Sequence, residues 1–225
     1  MPPTVSFVIP VLNEQAHIAA LLQDLGLRYP GSELLVVDGG SSDGTVAEAM
    51  PHSTRLLLGP RGRAAQMNLG GRAASGDYLF FLHADSIPTV TAGQLQAYLA
   101  GQPGWGFCQV RLSGSGWLLR VVERFMSARS RLTGIATGDQ MLWLQRELFA
   151  RSGGFDPIPL MEDVAYCKRL RRWESPLVIG EAVITSSRRW EQHGVVRTVL
   201  TMWWLRLAYF LGVSPQRLWQ RYYGR

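Results

Sequence analysis

The stretch "VSFVIPVLNE" (residues 5–14) decides the fold, because an apolar, β-rich run ends there in a polar turn. Three more apolar runs follow, "LLVVD" (34–38), "RLLLG" (55–59) and "YLFFL" (78–82), and helical patterns separate them. Strands that are apolar on both faces and alternate with helices indicate a parallel sheet covered on both sides. We therefore predict an α/β fold with a mostly parallel central sheet and helices on both faces.

The second half of the chain alternates less regularly. "GFCQVRL" (106–112) indicates a strand, and "MEDVAYCKRLRRW" (161–173) indicates a helix. Residues 117–132 also indicate a helix, and we expect its apolar face to carry Leu118, Val121, Val122 and Phe125. No linker rich in Pro, Gly or Ser divides the chain.

The composition suits a single globular domain, since 47% of the 225 residues are apolar and 18% are charged. The net charge is +6, and Lys168 is the only lysine, so the cations are almost all arginines. The planar guanidinium group of arginine matches the geometry of phosphate. Candidate ligands therefore include phosphorylated molecules, anionic lipid and nucleic acid. A GC-rich genome that writes arginine for lysine would give the same excess.

The cysteines and the N-terminus predict a cytoplasmic location. Cys108 and Cys167 offer neither the paired spacing of a zinc site nor a disulfide framework, which favours a reducing compartment. The first apolar run is too short for a signal peptide, and Pro10, Asn13 and Glu14 interrupt it.

Polar residues follow three of the predicted strands. Asn13 and Glu14 follow the first, Asp38 and "GGSSDGT" the second, and His83 and Asp85 the fourth. Ordinary turns use the same residue types. However, ligands of parallel sheets bind beyond the carboxyl ends of the strands, so three such loops at one edge favour a ligand site.

Three groups of residues can contribute chemistry at this edge. A carboxylate at Asp85 can hold Mg²⁺ or Mn²⁺ together with substrate phosphates, and His83 is either a further ligand, a hydrogen-bond donor to phosphate, or simply the end of the strand. Arg61 and Arg63 in "GPRGRAAQMNLGG" can clamp a diphosphate. Glu162 and Asp163 either cap a helix or take a proton from an attacking hydroxyl.

The ordered set of motifs resembles family 2 glycosyltransferases with the A-type fold. The resemblance spans residues 5 to about 190 and rests on "VSFVIPVLNE", "LLVVDGGSSDGT", "GRAAQMNLG", "GDYLFFLHADS", "GGFD" and "MEDVAYCKRLRR". "GRAAQMN" and "FLHADS" are most similar to a bacterial subgroup that is associated with arsenosugar biosynthesis.

This resemblance implies an inverting, metal-dependent transfer of a sugar from a UDP- or GDP-type donor to an unidentified acceptor hydroxyl. It implies Mn²⁺ or Mg²⁺ as cofactor, with Asp85 as the metal ligand. The family's Asp-x-Asp motif falls on residues 83–85, where His83 replaces the first aspartate. The residues implied in donor binding are Pro10, Val11, Asn13, Glu14, Asp38, Gly39, Arg63, Asn68, His83 and Ala84.

The resemblance also implies the acceptor side of the site. The family's Glu-Asp pair falls on Glu162 and Asp163, with Asp163 as the base. Arg189 and Trp190 of "SSRRW" correspond to a loop near the acceptor and diphosphate, but Ser186 replaces the glutamine of processive members. The implied layout is a catalytic domain over residues 1–190, divided into a nucleotide-sugar half (1–100) and an acceptor half (101–190).

Residues 191–225 predict an amphipathic helical tail. "VVRTVLTMWWLRLAYFLGV" (195–213) is interrupted by Arg197 and Arg206, so we expect no transmembrane span. One helical face collects Val196, Val199, Leu200, Trp203, Leu207, Phe210 and Leu211. Such a face suits the membrane interface, and packing on the domain's own core or on a second subunit is the alternative.

Two other functions fit parts of the sequence. A sugar-phosphate nucleotidyltransferase shares the sheet and the metal, but its glycine-arginine signature should follow the first strand, and here it follows the third. A basic nucleic-acid-binding module fits the mixture of arginine and aromatic residues in the tail. The carboxylates at the strand ends would oppose phosphate binding, so we expect no nucleic-acid partner.

Overall fold

The computed structural model describes residues 2–224, apart from the side chains of Arg189 and His193. Its centre is one eight-stranded sheet whose strands lie in the order β3-β2-β1-β4-β7-β6-β8-β5. The strands are β1 (Val5–Val11), β2 (Glu33–Asp38), β3 (Arg55–Leu58), β4 (Tyr78–Phe81), β5 (Ser86–Pro88), β6 (Trp105–Leu112), β7 (Trp143–Gln145) and β8 (Leu177–Thr185).

Ten α-helices are present in the described part of the chain. They are α1 (Ile18–Arg28), α2 (Thr45–Ala49), α3 (Arg63–Ala73), α4 (Ala92–Leu99), α5 (Trp117–Thr133), α6 (Arg146–Ser152), α7 (Glu162–Leu170), α8 (Arg188–His193), α9 (Val195–Phe210) and α10 (Pro215–Tyr223). A short 3₁₀-helix, Gly138–Gln140, precedes β7. The predicted helical tail is therefore two helices, α9 and α10. No helix among residues 2–224 has both the length and the hydropathy that crossing a bilayer requires.

The sheet confirms the predicted α/β fold. Strands β1 to β4 pair in parallel, as their alternation with helices indicated. β7 then pairs antiparallel with both β4 and β6, and the Phe81 N–H donates to the Leu142 carbonyl at 2.8 Å. An antiparallel neighbour begins where β4 ends. The residues just before β7 therefore join the carboxyl edge of the parallel strands.

Alternate residues of the strands feed two cores, one on each face of the sheet. Phe7 and Ile9 of β1 are buried against α1, α2 and α4, while Val8 between them is buried against α3, α6 and α7. The apolar side chains of α1, including Ile18 and Leu22, are buried. Helices on both faces leave the carboxyl edge of the strands as the open side.

Helix α3 lies unusually close to the sheet. A Cβ added at Gly70 would lie 2.4 Å from Val8 Cγ1 and 2.9 Å from Val37 Cγ2, which no real side chain tolerates. The absence of a side chain at Gly70 thus lets α3 pack directly on β1 and β2. This packing sets Arg63, the first residue of α3, at the carboxyl edge.

The predicted helix at 117–132 is confirmed as α5, but the apolar face predicted for it is only partly its buried side. Leu119 is buried and packs with Trp190, whereas Val121 and Phe125 are exposed. Helix α5 covers a small separate cluster, which includes Leu112, and does not lie on the main core. The pattern of apolar residues alone does not reveal which side of the helix meets that cluster.

Candidate active site

The loops after β1 and β2 are joined by hydrogen bonds. The Asn13 N–H donates to Ser41 Oγ at 2.9 Å, and Asn13 Oδ1 accepts from the Ser42 N–H at 2.9 Å. The Glu14 N–H donates to Thr45 Oγ1 at 2.8 Å. Asn13 has φ of 56°, a left-handed conformation that asparagine tolerates better than most residues. The two loops therefore form one rim that hydrogen bonds within the protein hold together.

Asp38 shapes the second loop from inside. Its buried carboxylate accepts hydrogen bonds from the Gly40 N–H at 2.8 Å, the Ser41 N–H at 3.0 Å and the Ser41 hydroxyl. These are the bonds of a tight turn, in which a carboxylate substitutes for backbone acceptors. Asp38 lies at the predicted donor side, and the turn that it supports forms the rim.

Gln66 holds the same rim from below. Its side-chain amide Nε2 donates to the carbonyls of Val11 and Val37 at 2.8 Å each, and it is buried. A Cβ added at Gly39 would lie 2.9 Å from the Gln66 amide, so the rim and α3 are in close contact there. Pro10, Val11 and Gly39, predicted to bind the donor, therefore lie together at the ends of β1 and β2.

His83 and Asp85 lie just beyond β4, as their position in the sequence predicted. His83 is mostly buried, with Nδ1 3.6 Å from Asp139 Oδ1. Asp85 is exposed and accepts a hydrogen bond from the Ser86 hydroxyl at 3.3 Å, and Ala84 between them is buried. The Asp85 carboxylate thus faces solvent at the edge of the sheet, where an incoming ligand can reach it.

Glu14 lies close enough to His83 and Asp85 for their charges to affect its pKa. Burial raises the pKa of Glu14, and the negative charge of Asp85 raises it further. His17, Arg188 and His83 partly offset this rise in the pKa. Arg188 reaches across from α8, with Nη2 3.2 Å from His17 Nε2. The ends of β1 and β4 and the start of α8 therefore surround one polar region.

Glu162 and Asp163 begin α7, where carboxylates are favoured by the helix dipole. Glu162 is buried, and its Oε1 lies 3.3 Å from Arg63 Nη1. Burial raises the pKa of Glu162, the charge of Asp163 raises it further, and Arg63 opposes both effects. Asp163 is less buried, and its Oδ2 accepts the Gly138 N–H at 2.8 Å. The pair therefore consists of one buried carboxylate beside Arg63 and one partly exposed carboxylate that accepts the Gly138 N–H.

Gly138 is the point at which the two sides of the site meet. A Cβ added there would lie 2.5 Å from His83 Nε2 and 3.1 Å from Arg63 Nη1, so both side chains approach its backbone. The side chain of Arg63 is 44% exposed, so its burial is partial. Partial burial lowers the pKa of Arg63, but the carboxylates of Glu162, Asp163 and Asp139 outweigh it and raise that pKa. Arg63 thus remains a cation among three acidic side chains.

Gly138 and Asp139 were missed by sequence reasoning. They precede β7, and only the antiparallel pairing of β7 with β4 brings them to this edge. A Gly-Asp pair in "TGDQ" carries no spacing that distinguishes it from a turn. The signal that would have found them is the position of β7 in the sheet, which local sequence does not contain.

Two residues predicted to bind ligand have other roles in this geometry. Asn68 Nδ2 donates to the Phe155 carbonyl, and its Oδ1 accepts from the Phe155 N–H, both at 2.8 Å. The amide thereby fixes the "GGFD" turn with one of its N–H groups and one of its lone pairs, and its predicted contact with the donor stays a prediction. Trp190 is buried against Leu112. The Arg189 side chain lies outside the described residues, and Arg188 is the arginine that borders the site.

The metal prediction rests on Asp85 alone. Among residues 2–224, no group of three or more His, Cys, Asp or Glu side chains is arranged to hold a metal ion. A magnesium or manganese ion bound with substrate phosphates needs only one or two protein carboxylates, so this does not disagree with the prediction. Asp85 fits because its oxygens are exposed and a second carboxylate, Glu14, lies near enough to feel its charge.

A hollow of about 700 Å³ lies at the opposite end of the strands. Its lining includes Pro3, Asp77 and Gln96, beside the starts of β1 and β4, and none of the predicted site residues. The polar residues that follow the strands lie at the other edge of the sheet. This hollow is therefore not the candidate active site.

The sequence is similar to those of known glycosyltransferases. Residues 6–113 match the sequence model of glycosyl transferase family 2. An uncharacterised glycosyltransferase of Mycobacterium tuberculosis is 32% identical over 170 residues, covering 68% of this chain and 63% of the relative. These matches support a glycosyltransferase enzyme.

The fold also resembles solved glycosyltransferase structures. The mannosyltransferase PcManGT of Pyrobaculum calidifontis, in complex with GDP-mannose and Mn²⁺, aligns with a TM-score of 0.61 at 21% identity, over 83% of this chain and 57% of that one. Residues 1–349 of S. aureus TarS, in complex with UDP, align with a TM-score of 0.63 at 16% identity, over 81% and 60%. These likenesses establish the fold.

The chain spans 61% and 63% of the length of two curated relatives that it matches. None of these matches concerns the arsenosugar-associated subgroup, which stays a prediction. The division of residues 1–190 into two halves likewise stays a prediction.

Proposed function

We propose that this chain transfers a sugar from a UDP- or GDP-type donor to an acceptor hydroxyl, with inversion at the anomeric carbon. The observation that carries the proposal is the meeting of Asp163, Arg63 and His83 at Gly138. This meeting point lies at the carboxyl edge of the sheet, where Asp85 is exposed. A base, a cation and a metal-binding carboxylate are the groups that such a transfer needs.

The rim formed by the first two loops binds the nucleoside in this proposal. The hydrogen bonds between Asn13 and the serines of the second loop hold the rim in place before a ligand arrives. Pre-formed contacts reduce the conformational entropy that binding must overcome. Arg63 contributes its charge to the diphosphate, and Glu162 holds Arg63 in position from the buried side.

Asp85 would hold a Mn²⁺ or Mg²⁺ ion that binds with the donor diphosphate, and Glu14 lies near enough to Asp85 for the two carboxylates to interact. When bound, the ion neutralises negative charge on the departing nucleoside diphosphate. The donor class is supported by the fold likeness to structures that contain GDP-mannose or UDP.

Asp163 acts as the base. Its carboxylate takes the proton of the acceptor hydroxyl, and the oxygen attacks the anomeric carbon from the side opposite the nucleotide. The bond between that carbon and the diphosphate oxygen breaks, and the nucleoside diphosphate leaves with the electron pair. A single displacement inverts the configuration, as in other one-step glycosyl transfers. Asp163 is favoured over Glu162 because Glu162 is buried and paired with Arg63.

A donor screen tests this proposal. The chain is incubated with UDP- and GDP-sugars and a mixture of candidate hydroxyl acceptors, and nucleotide release is measured with Mn²⁺, with Mg²⁺ and with a chelator. We expect release that depends on the ion for at least one donor. The contradicting result is that none of the donors releases nucleotide, whereas a sugar phosphate and a nucleoside triphosphate together give a nucleotide sugar. The activity would then be nucleotidyl transfer, and the proposal would be wrong.

A further inference from the structure

Helix α9 turns a long apolar face to solvent. The face consists of side chains that are between 56% and 76% exposed: Val196, Leu200, Trp203, Leu207, Phe210 and Leu211. The opposite side of α9 is buried against the domain through Thr198, Leu205 and Ala208. Helix α9 therefore packs on the domain's own core, as the sequence-based alternative proposed, but through this opposite side. Of the predicted face only Val199 is partly buried, against the cluster with Trp190. A membrane surface and a second copy of the chain are two candidate partners for the exposed face.

The charged side chains of α9 and α10 all have one sign. Arg197 and Arg206 flank it on α9, and α10 adds the exposed Arg217 and Arg221. Residues 192–225 contain no aspartate or glutamate. The Arg221 guanidinium lies 4.2 Å from the centre of the Trp204 ring, which holds a cation beside the apolar face.

Helix α10 continues the same chemistry. Leu218 is buried, while Trp219 and Tyr223 are exposed one turn apart, with ring centres 5.9 Å from each other. Tryptophan and tyrosine favour the boundary between lipid headgroups and acyl chains, because one end of the ring system is apolar and the other polar.

Helix α5 adjoins α9 and presents a similar surface. Trp117, Phe125 and Leu132 are 72%, 66% and 87% exposed, and Arg124 and Arg131 are exposed beside them. The helix has a single acidic residue, Glu123, which is turned inward and accepts the Leu112 N–H. The exposed side of α5 is therefore apolar and cationic, like that of α9.

We propose that α9 and α10, with α5 beside them, dock on the surface of an anionic lipid bilayer. A helix with an apolar face and flanking arginines lies in the plane of the headgroups and buries that face. Charge favours lipid over a second copy, because a two-fold dimer places each arginine-lined face against an identical one. Each arginine near an anionic bilayer surface raises the affinity for that surface by about fivefold.

Flotation of the full chain with lipid vesicles tests this proposal. The probes are vesicles of phosphatidylcholine alone and vesicles that also contain phosphatidylglycerol. We expect the chain to float with the anionic vesicles and not with the neutral ones. The double variant Leu200→Gln, Leu207→Gln should bind more weakly by about tenfold per leucine. Leu27→Gln is the matched control, since Leu27 is 84% exposed on α1, on the other face of the sheet.

The charges are tested separately. Arg197→Gln with Arg217→Gln should weaken binding to anionic vesicles, whereas Arg72→Gln, an exposed arginine of α3, should not. The proposal is overturned if the parent chain does not float with anionic vesicles, or if Leu27→Gln lowers binding as much as the leucine pair. A lipid-free dimer that the leucine pair dissociates, together with no flotation, would assign the face to a second copy instead.

Discussion

The Asp163 carboxylate accepts the Gly138 N–H at 2.8 Å, and this bond joins the start of α7 to the segment that precedes β7. Because β7 pairs with β4, the same segment lies beside His83 at the end of β4. The proposed base and the proposed donor side are thus connected through one backbone amide. Changes at Asp163 or at His83 are expected to affect transfer more than the fold.

Asp163→Asn should keep donor binding and lose transfer. An asparagine preserves the shape and can still accept from Gly138, but it cannot take a proton from the acceptor. A missing general base typically lowers the rate by about 10²–10⁴-fold. The measurements are nucleotide release in the presence of acceptor and, separately, donor affinity by calorimetry. Near-normal turnover would move the role of base away from Asp163.

Asn68→Ala should lower stability without a matching loss of donor affinity. Its amide makes both hydrogen bonds to the Phe155 backbone, and their removal leaves two polar groups unpaired beside a buried side chain. We expect a loss of about 1–3 kcal/mol in the free energy of unfolding, measured by urea denaturation. If stability is unchanged and donor affinity falls, Asn68 contacts the donor as the family resemblance implied.

Glu33 should make stability depend on pH. Burial raises the pKa of Glu33, but hydrogen bonds from Ser6 and Ser75 and the charge of Arg55 outweigh it, and the net pKa is lowered. A lowered pKa in the folded state adds stability that is fully present above the pKa of the unfolded chain, about 4.3. That stability is lost as the pH falls through the folded-state pKa.

The test compares the parent with Glu33→Gln by urea denaturation from neutral pH down to about pH 3. The advantage of the parent in unfolding free energy should be largest near neutrality and should shrink below about pH 4. A difference that stays constant over this range would mean that the Glu33 charge does not contribute.

The first half of the fold could be predicted from sequence because its signals are local. The apolar run before Asn13 and the run before His83 each specify a buried strand and its end, and parallel order follows from the intervening helices. The placement of Asp85 needed no more than these boundaries, whereas the Glu162–Asp163 pair was assigned to the site only through the family resemblance.

The rest of the site depends on pairing that local sequence does not specify. Asp139 reaches the site only because β7 runs antiparallel to β4. The roles of Asn68 and Trp190 depend on which backbone or cluster each one meets, and both meet partners far away in the chain. On α5, the face with Val121 has the same apolar pattern as a buried face, yet it is exposed.

Calorimetric titration of the parent and of Asp85→Ala with UDP and GDP, with and without Mn²⁺, tests the central claim most directly. Asp85 is exposed and makes one weak hydrogen bond, so its removal should leave the fold intact, as circular dichroism would verify. Asp24→Ala is the control, since Asp24 pairs with Arg28 on α1 in a surface salt bridge of small energetic value. We predict that Mn²⁺ strengthens binding of one nucleotide to the parent and to Asp24→Ala, and that Asp85→Ala loses this gain. Equal affinity of Asp85→Ala and the parent in the presence of Mn²⁺ would contradict the assignment of the diphosphate to this edge of the sheet.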